Sequence, residues 1–310
     1  MKKAKKFISL FMLAALISAP FLTRVNAESV SPSLELRGVW ISTVLNLDYP
    51  SSPTEDVAAL KKEATEELDY AQKNGFNAVF FQVRPACDAF YKSSIFPWSS
   101  YLTGDQGKAP GSFDPLEFYV SEAHKRGLQL HAWINPFRVT KSKETLSSLA
   151  KSNPARKNPS WVVTGADGNL YLNPGIPEVR ALVVNGVLEI IKSYKVDGIH
   201  LDDYFYPSKN FNDADAFKKY GAHAKNLDEF RRNNVNLLIK NLGAAIKKAN
   251  SKVSFGVSPS GIWANKKSLE DGSDTSGGQS YFDSYADSRK WVKEKWVDYI
   301  APQIYWNIGN

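Results

Sequence analysis

Along most of the chain, six short runs of alternating apolar and polar residues take turns with long stretches whose apolar residues recur every three or four positions. Alternation of period two marks strands and the longer period marks amphipathic helices, and strands joined through helices run parallel. The predicted strands are Leu36 to Ser42, Ala78 to Arg84, Leu128 to Asn135, Gly198 to Asp203, Val253 to Ser258 and Tyr299 to Trp306. Predicted helices fill the intervals at Val57 to Asn74, Pro115 to Arg126, Val179 to Tyr194 and Leu227 to Ala249, with Gly75 and Gly127 as stop signals behind two of them. The fold class this specifies is α/β, a TIM-type (β/α) barrel. A closed barrel of that type needs about eight strands. The sixth ends just before Asn310, so two βα units are expected to be missing, overlooked, or replaced by an open sheet with exposed edges.

Each barrel strand turns one face to the helices and the other to the interior. Assigning the aliphatic set outward (Val79, Phe81 and Val83 in the second strand, Leu128, Leu130, Ala132 and Ile134 in the third, Ile199 and Leu201 in the fourth) leaves an unusually polar interior. Gln82, Arg84, His131, Trp133, Asn135, His200, Asp202, Tyr204, Gln303 and Tyr305 are predicted to point inward. Polar groups there are costly unless they form a hydrogen-bonded site, and they gather toward the C-terminal strand ends, where barrel active sites sit. Long connections follow the third and fourth strands and are predicted to wall such a site; Trp161 to Asn173 is expected to add a hairpin turning at Asp167-Gly168.

Residues 1–27 read as an export signal, with Lys2, Lys3, Lys5 and Lys6 before an apolar run from Phe7 to Leu22 and small residues at Val25-Asn26-Ala27. Pro20 interrupts a run already short for a membrane span, so no stable anchor is expected after cleavage, and residues 28–310 are expected to form the barrel domain of a secreted, extracytoplasmic protein. The leader carries five of the chain's +7 formal charges, leaving +2, which removes the main argument for a nucleic-acid partner. The single cysteine, Cys87, reads as a small buried apolar residue.

The segment Asp197 to Pro207, with Asp202 at the strand end and Asp203 at the rim, carries the chemistry. Glycoside hydrolysis needs one carboxylate to attack or to activate water and a second carboxyl to protonate the leaving oxygen, and adjacent carboxyls raise one another's proton affinity. Asp202 and Asp203 are the candidate catalytic residues; the structural alternative has Asp203 capping the next loop and Asp202 bracing Arg84. Gln82, Arg84, His131, Asn135, His200 and Gln303 suit sugar hydroxyls or support of Asp202, while Trp40, Trp133, Tyr204, Tyr206, Tyr305 and Trp306 offer rings to apolar sugar faces. No Glu lies at a predicted strand end, so a loop Asp such as Asp88 or Asp283 is a further candidate for the general acid.

Arg37-Gly38-Val39-Trp40, Gln82-Val83-Arg84-Pro85, Ala123 to Gly127, His131 to Pro136, Tyr171 to Gly175, the Asp197 segment and Ala301 to Trp306 together make the chain similar to glycosyl-hydrolase-like family ten, the YngK/DigH type. The resemblance implies a TIM-type barrel, export, and hydrolysis of a polysaccharide, in one branch peptidoglycan strands freed of their peptides. It also implies that members continue beyond Asn310. The fourth strand is similar to a chitinase-like motif as well, but has His200 at that motif's middle Asp and Tyr204 at its acid Glu. No cofactor is expected. Two alternatives stand beside the glycosidase: a metal-dependent polysaccharide hydrolase or deacetylase using His131, His200, Asp202 and Asp203, and a non-catalytic glycan-binding barrel.

Overall fold

Branched and aromatic residues form strands where the alternation predicts them, and the intervening stretches are helices. A computed structural model describes residues 35–307, so the predicted export signal, residues 1–27, lies outside the described residues. The strands are β1 (Gly38–Ile41), β2 (Ala78–Arg84), β3 (Gln129–Ile134), β4 (Gly198–Asp202), β5 (Ser254–Ser258) and β6 (Tyr299–Ile300). All neighbours pair in parallel in chain order. The main helices are α1 (Val57–Lys73), α2 (Pro115–Lys125), α3 (Pro177–Ser193) and α4 (Leu227–Ala249), with a shorter α5 (Ser288–Lys293). Asp56, Asp114 and Asn226 cap α1, α2 and α4 through their side chains, satisfying backbone N–H groups that the helices cannot.

The sheet curls into part of a barrel. Three strand spacings amount to about 14 Å across a flat sheet. Yet Tyr299 on β6 bonds His131 on β3 at 2.9 Å, and the Trp40 ring on β1 lies 5.7 Å from that of His200 on β4. Rings therefore meet across the concave side, which is what inward-facing residues of an arc do. Gly198 and Gly256 make room for them: a Cβ at either would fall 2.2 Å from the His131 ring or 2.0 Å from the Tyr299 ring. Outside, Val79, Phe81, Leu130, Ile199 and Val257 pack into one buried cluster with Leu60, Leu116, Val183 and Leu242 of the helices; Phe81 stacks on Tyr119 of α2 at 3.9 Å.

The predicted hairpin exists, Val162–Thr164 against Leu170–Leu172, in the connection after β3. It joins the barrel through a bridge between Arg138 and Tyr171. Predicted β6 is longer than the observed strand, since Pro302 has no N–H for the ladder; only the isolated bridge Ser260 to Gln303 continues the pairing. Cys87 is buried and unpaired. Among the described residues, no helix is long and apolar enough to cross a membrane.

Candidate active site

The C-terminal strand ends open into a cleft of about 530 Å³ lined by Trp40, Trp133, Asp202, Tyr204, Ser258, Gln303 and Tyr305, among others. Asp202 is its buried carboxylate. It sits there because Ile199 and Leu201 must face the helices, which turns His200 and Asp202 to the other side.

A relay of amides fixes how Asp202 is held. Gln82 Oε1 accepts from the backbone N–H groups of Thr43 and Val44, each at 2.8 Å, and from the Ser42 hydroxyl at 3.1 Å. Gln82 Nε2 must then face Asn135, donating to its Oδ1 at 2.5 Å. Asn135 Nδ2 in turn donates to Asp202 Oδ2. Backbone donors at one end thus determine the orientation of both amides.

Burial pushes the Asp202 carboxyl up to about 6; the Arg138 guanidinium pulls the other way, and neighbouring Asp203 reinforces the rise. Burial also raises Asp203, opposed by the hydrogen bond from Gln303 Nε2 to its Oδ1 at 3.1 Å. The same Gln303 Nε2 donates to the Ser258 carbonyl at 2.8 Å, tying the stretch after β6 to β5. Such proton affinities suit acid/base work near neutral pH.

Of the expected sugar-binding residues, Trp40, Trp133, Tyr204, Gln303 and Tyr305 reach the cleft. Tyr204 is 54% exposed and Tyr305 87%, so their rings are available for stacking. Gln82 and Asn135 are buried behind Asp202 as its support.

His131 and His200 form the floor instead. The Tyr299 hydroxyl lies between their Nδ1 atoms at 2.9 and 3.1 Å, and His200 Nε2 meets Ser258 Oγ at 2.9 Å. Burial lowers them to about 4 and about 3, the latter with help from its histidine neighbour, so both rings are neutral at ordinary pH. Neither is placed to touch a sugar.

Three of the expected site residues lie away from the cleft. Arg84 does not face the cleft, because a bulge between Gln82 and Arg84 shifts the register and pairs Arg84 with outward-facing Ile134. Its guanidinium stacks on Phe96 at 3.7 Å, and a Cβ added to Gly186 of α3 would fall 2.7 Å from its Nη1. Tyr206 is buried against Phe211, Tyr285 and Arg231. Trp306 packs on Gly261 and is not among the cleft's lining residues.

Arg138, which the alternation misses because it follows the end of β3, is the cation that acts on Asp202. It donates to the Pro85 carbonyl at 3.1 Å and lies 5.0 Å from the Tyr204 ring. Of the loop acids, Asp88 is buried and raised to about 6 by desolvation, but it does not line the cleft. Asp283 pairs with Lys209 at 2.8 Å, which outweighs burial and lowers it. Among the described residues, no group of three or more His, Cys, Asp or Glu is arranged to hold a metal ion.

A family model described as "Glycosyl hydrolase-like 10" matches residues 35–310. The chain is 48% identical to "Glycosyl hydrolase YngK" of Bacillus subtilis (strain 168), over 97% of this chain and 59% of that protein. It is 40% identical to "Glycosyl hydrolase DigH" of Escherichia coli (strain K12), over 94% of this chain and 70% of that one. The chain thus spans only 59% of the length of the first of these relatives. Among solved structures, the PgaB (BpsB) glycoside hydrolase domain from Bordetella bronchiseptica has a TM-score of 0.56 at 13% identity, covering 86% of this chain and 73% of that one. Alpha-L-fucosidase isoenzyme 2 from Paenibacillus thiaminolyticus has 0.52 at 14% identity, covering 76% and 34%. These two likenesses show the barrel-type fold.

Proposed function

The chain belongs to the glycosyl hydrolase-like 10 family, and from that premise we propose that it cleaves O-glycosidic bonds of a polysaccharide at the Asp202 cleft. One observation carries this reading: Asp202, raised to about 6, is buried at the base of an aromatic-walled cleft and anchored through Asn135. Rings at Trp40, Trp133, Tyr204 and Tyr305 would hold the apolar faces of sugars, and polar edges at Gln303 and Ser258 their hydroxyls. Asp202 would give its proton to the scissile oxygen as the C–O bond breaks, and would recover one from the water whose oxygen bonds to the sugar carbon. Asp203, steered away by Gln303, would act through its charge by keeping that proton affinity high.

The favoured substrate is bacterial cell-wall glycan, as the resemblance carried by the sequence motifs implies. An extracytoplasmic site of action is supported by the leader pattern of residues 1–27. The test is incubation with purified glycan strands, with and without stem peptides, followed by mass analysis. New reducing ends are expected with the parent chain and none with Asp202→Asn. Intact strands in both samples would sink the reading.

A further inference from the structure

A second groove, of about 620 Å³, runs between α3, α4 and the segment after α5. Its lining includes Arg180, His223, Lys240 and Lys290, against one carboxylate, Glu294. The Lys240 and Lys290 ammonium groups lie 5.8 and 5.9 Å from the centre of the Trp296 ring. Among the described residues, neither lysine has a carboxylate within ion-pair distance. Arg180 donates only to the Pro174 carbonyl and the Asn234 amide oxygen, at 2.6 and 2.8 Å, so its charge is not neutralised by those contacts. Leu237, 45% exposed, adds apolar surface.

We propose that this groove binds an acidic polysaccharide, a carboxylate-bearing stretch of the same strand that enters the Asp202 cleft. The half-buried Trp296 ring holds the two ammonium groups over it as counter-charges for a sugar's carboxylates, and Leu237 supplies the apolar surface beside them. The groove begins at Pro177 and Arg180, where α3 starts, and at Phe230 and Asn233, near the start of α4. Helix starts follow strand C-terminal ends in a (β/α) barrel, so this end of the groove lies on the side where Asp202 sits. A strand leaving the cleft over the rim would meet it.

The inference rests on the glycan reading, and its test separates the two. In an Asp202→Asn background, which blocks turnover, binding to carboxylate-bearing glycan strands is compared with binding to the same strands after carboxyl reduction. Lys240→Glu with Lys290→Glu, both exposed helical positions, is expected to weaken binding of the acidic strands by about tenfold at low salt, less at high salt, and to leave the reduced strands unaffected. Lys240→Ala with Lys290→Ala should show a smaller loss in the same direction. Equal binding of acidic strands by all versions, while the parent chain still cleaves them, overturns the groove and leaves the hydrolase reading intact. Strands neither bound nor cut by any version overturn both.

Discussion

Asn135 donates a side-chain hydrogen bond to Asp202, and Gln82 orients that amide. A donor to a carboxylate favours its ionised form. Asn135→Ala should therefore push the Asp202 carboxyl above about 6 and loosen it, lowering turnover by about 10- to 100-fold, the cost of a charge-assisted hydrogen bond. Gln82→Ala leaves Asn135 in place but free to rotate, so a smaller loss is expected. The rate-against-pH profile distinguishes the mechanisms: an upward shift of the limb that Asp202 governs supports the electrostatic role, and unshifted limbs with reduced amplitude point to packing alone.

Asp202 should also cost stability at neutral pH. Its carboxyl rises from 3.8 to about 6 on folding, so the folded state binds the proton more tightly. That contribution is fully present below about pH 4 and is lost as pH rises through about 6. Asp202→Asn is expected to stabilise the chain at pH 7 by about 1–3 kcal/mol, with little change at pH 4. Urea melts at both pH values check this; equal shifts would contradict the burial argument.

Much of this was legible from period alone. Helix bounds at α1 and α4 agree with the pattern because long apolar stripes leave little choice of register, and Asp202 is inward because Ile199 and Leu201 must be outward. Arg84 was not legible. A bulge adds one residue without altering the apolar pattern, so Gln82-Val83-Arg84 looks like unbroken alternation. Arg138 was hidden for a related reason: beyond the end of β3 no periodicity constrains where a side chain points. His131 and His200 were placed correctly by face but sit too deep for sugar, because rings from opposite strands meet only when the sheet curls.

The histidine floor makes the fold acid-sensitive. His131 and His200 fall from 6.5 to about 4 and about 3 on folding, so the unfolded chain binds more protons between those values. Stability should decline as pH drops below about 6.5 and level off only below the folded values. Tyr299→Phe removes the hydroxyl that both Nδ1 atoms share and should cost about 1–3 kcal/mol at pH 7, the penalty for unsatisfied buried groups. Denaturant midpoints across pH 4 to 8 measure both effects; a Tyr299→Phe protein as stable as the parent would show the network to be dispensable.

Arg138 limits how far the proton affinity of Asp202 rises. Its positive charge opposes the burial that raises Asp202, and its guanidinium also lies beside the Tyr204 ring in the cleft. Arg138→Met keeps much of the side-chain length but removes the charge, so burial and Asp203 are then opposed only by the hydrogen bonds from Asn135 and the Tyr204 N–H, and the Asp202 carboxyl should rise further. Activity at pH 7 should survive better than activity at pH 5, moving the optimum to higher pH whichever form of Asp202 works. If Asp202 serves as the acid, the alkaline limb moves up; if it serves as the base, the acid limb moves up. Arg138→Lys retains the charge and should restore the parent limb while leaving any defect from lost contact with Tyr204 in KM. A limb that moves equally in Met and Lys variants would mean that Arg138 acts by shape and not by charge.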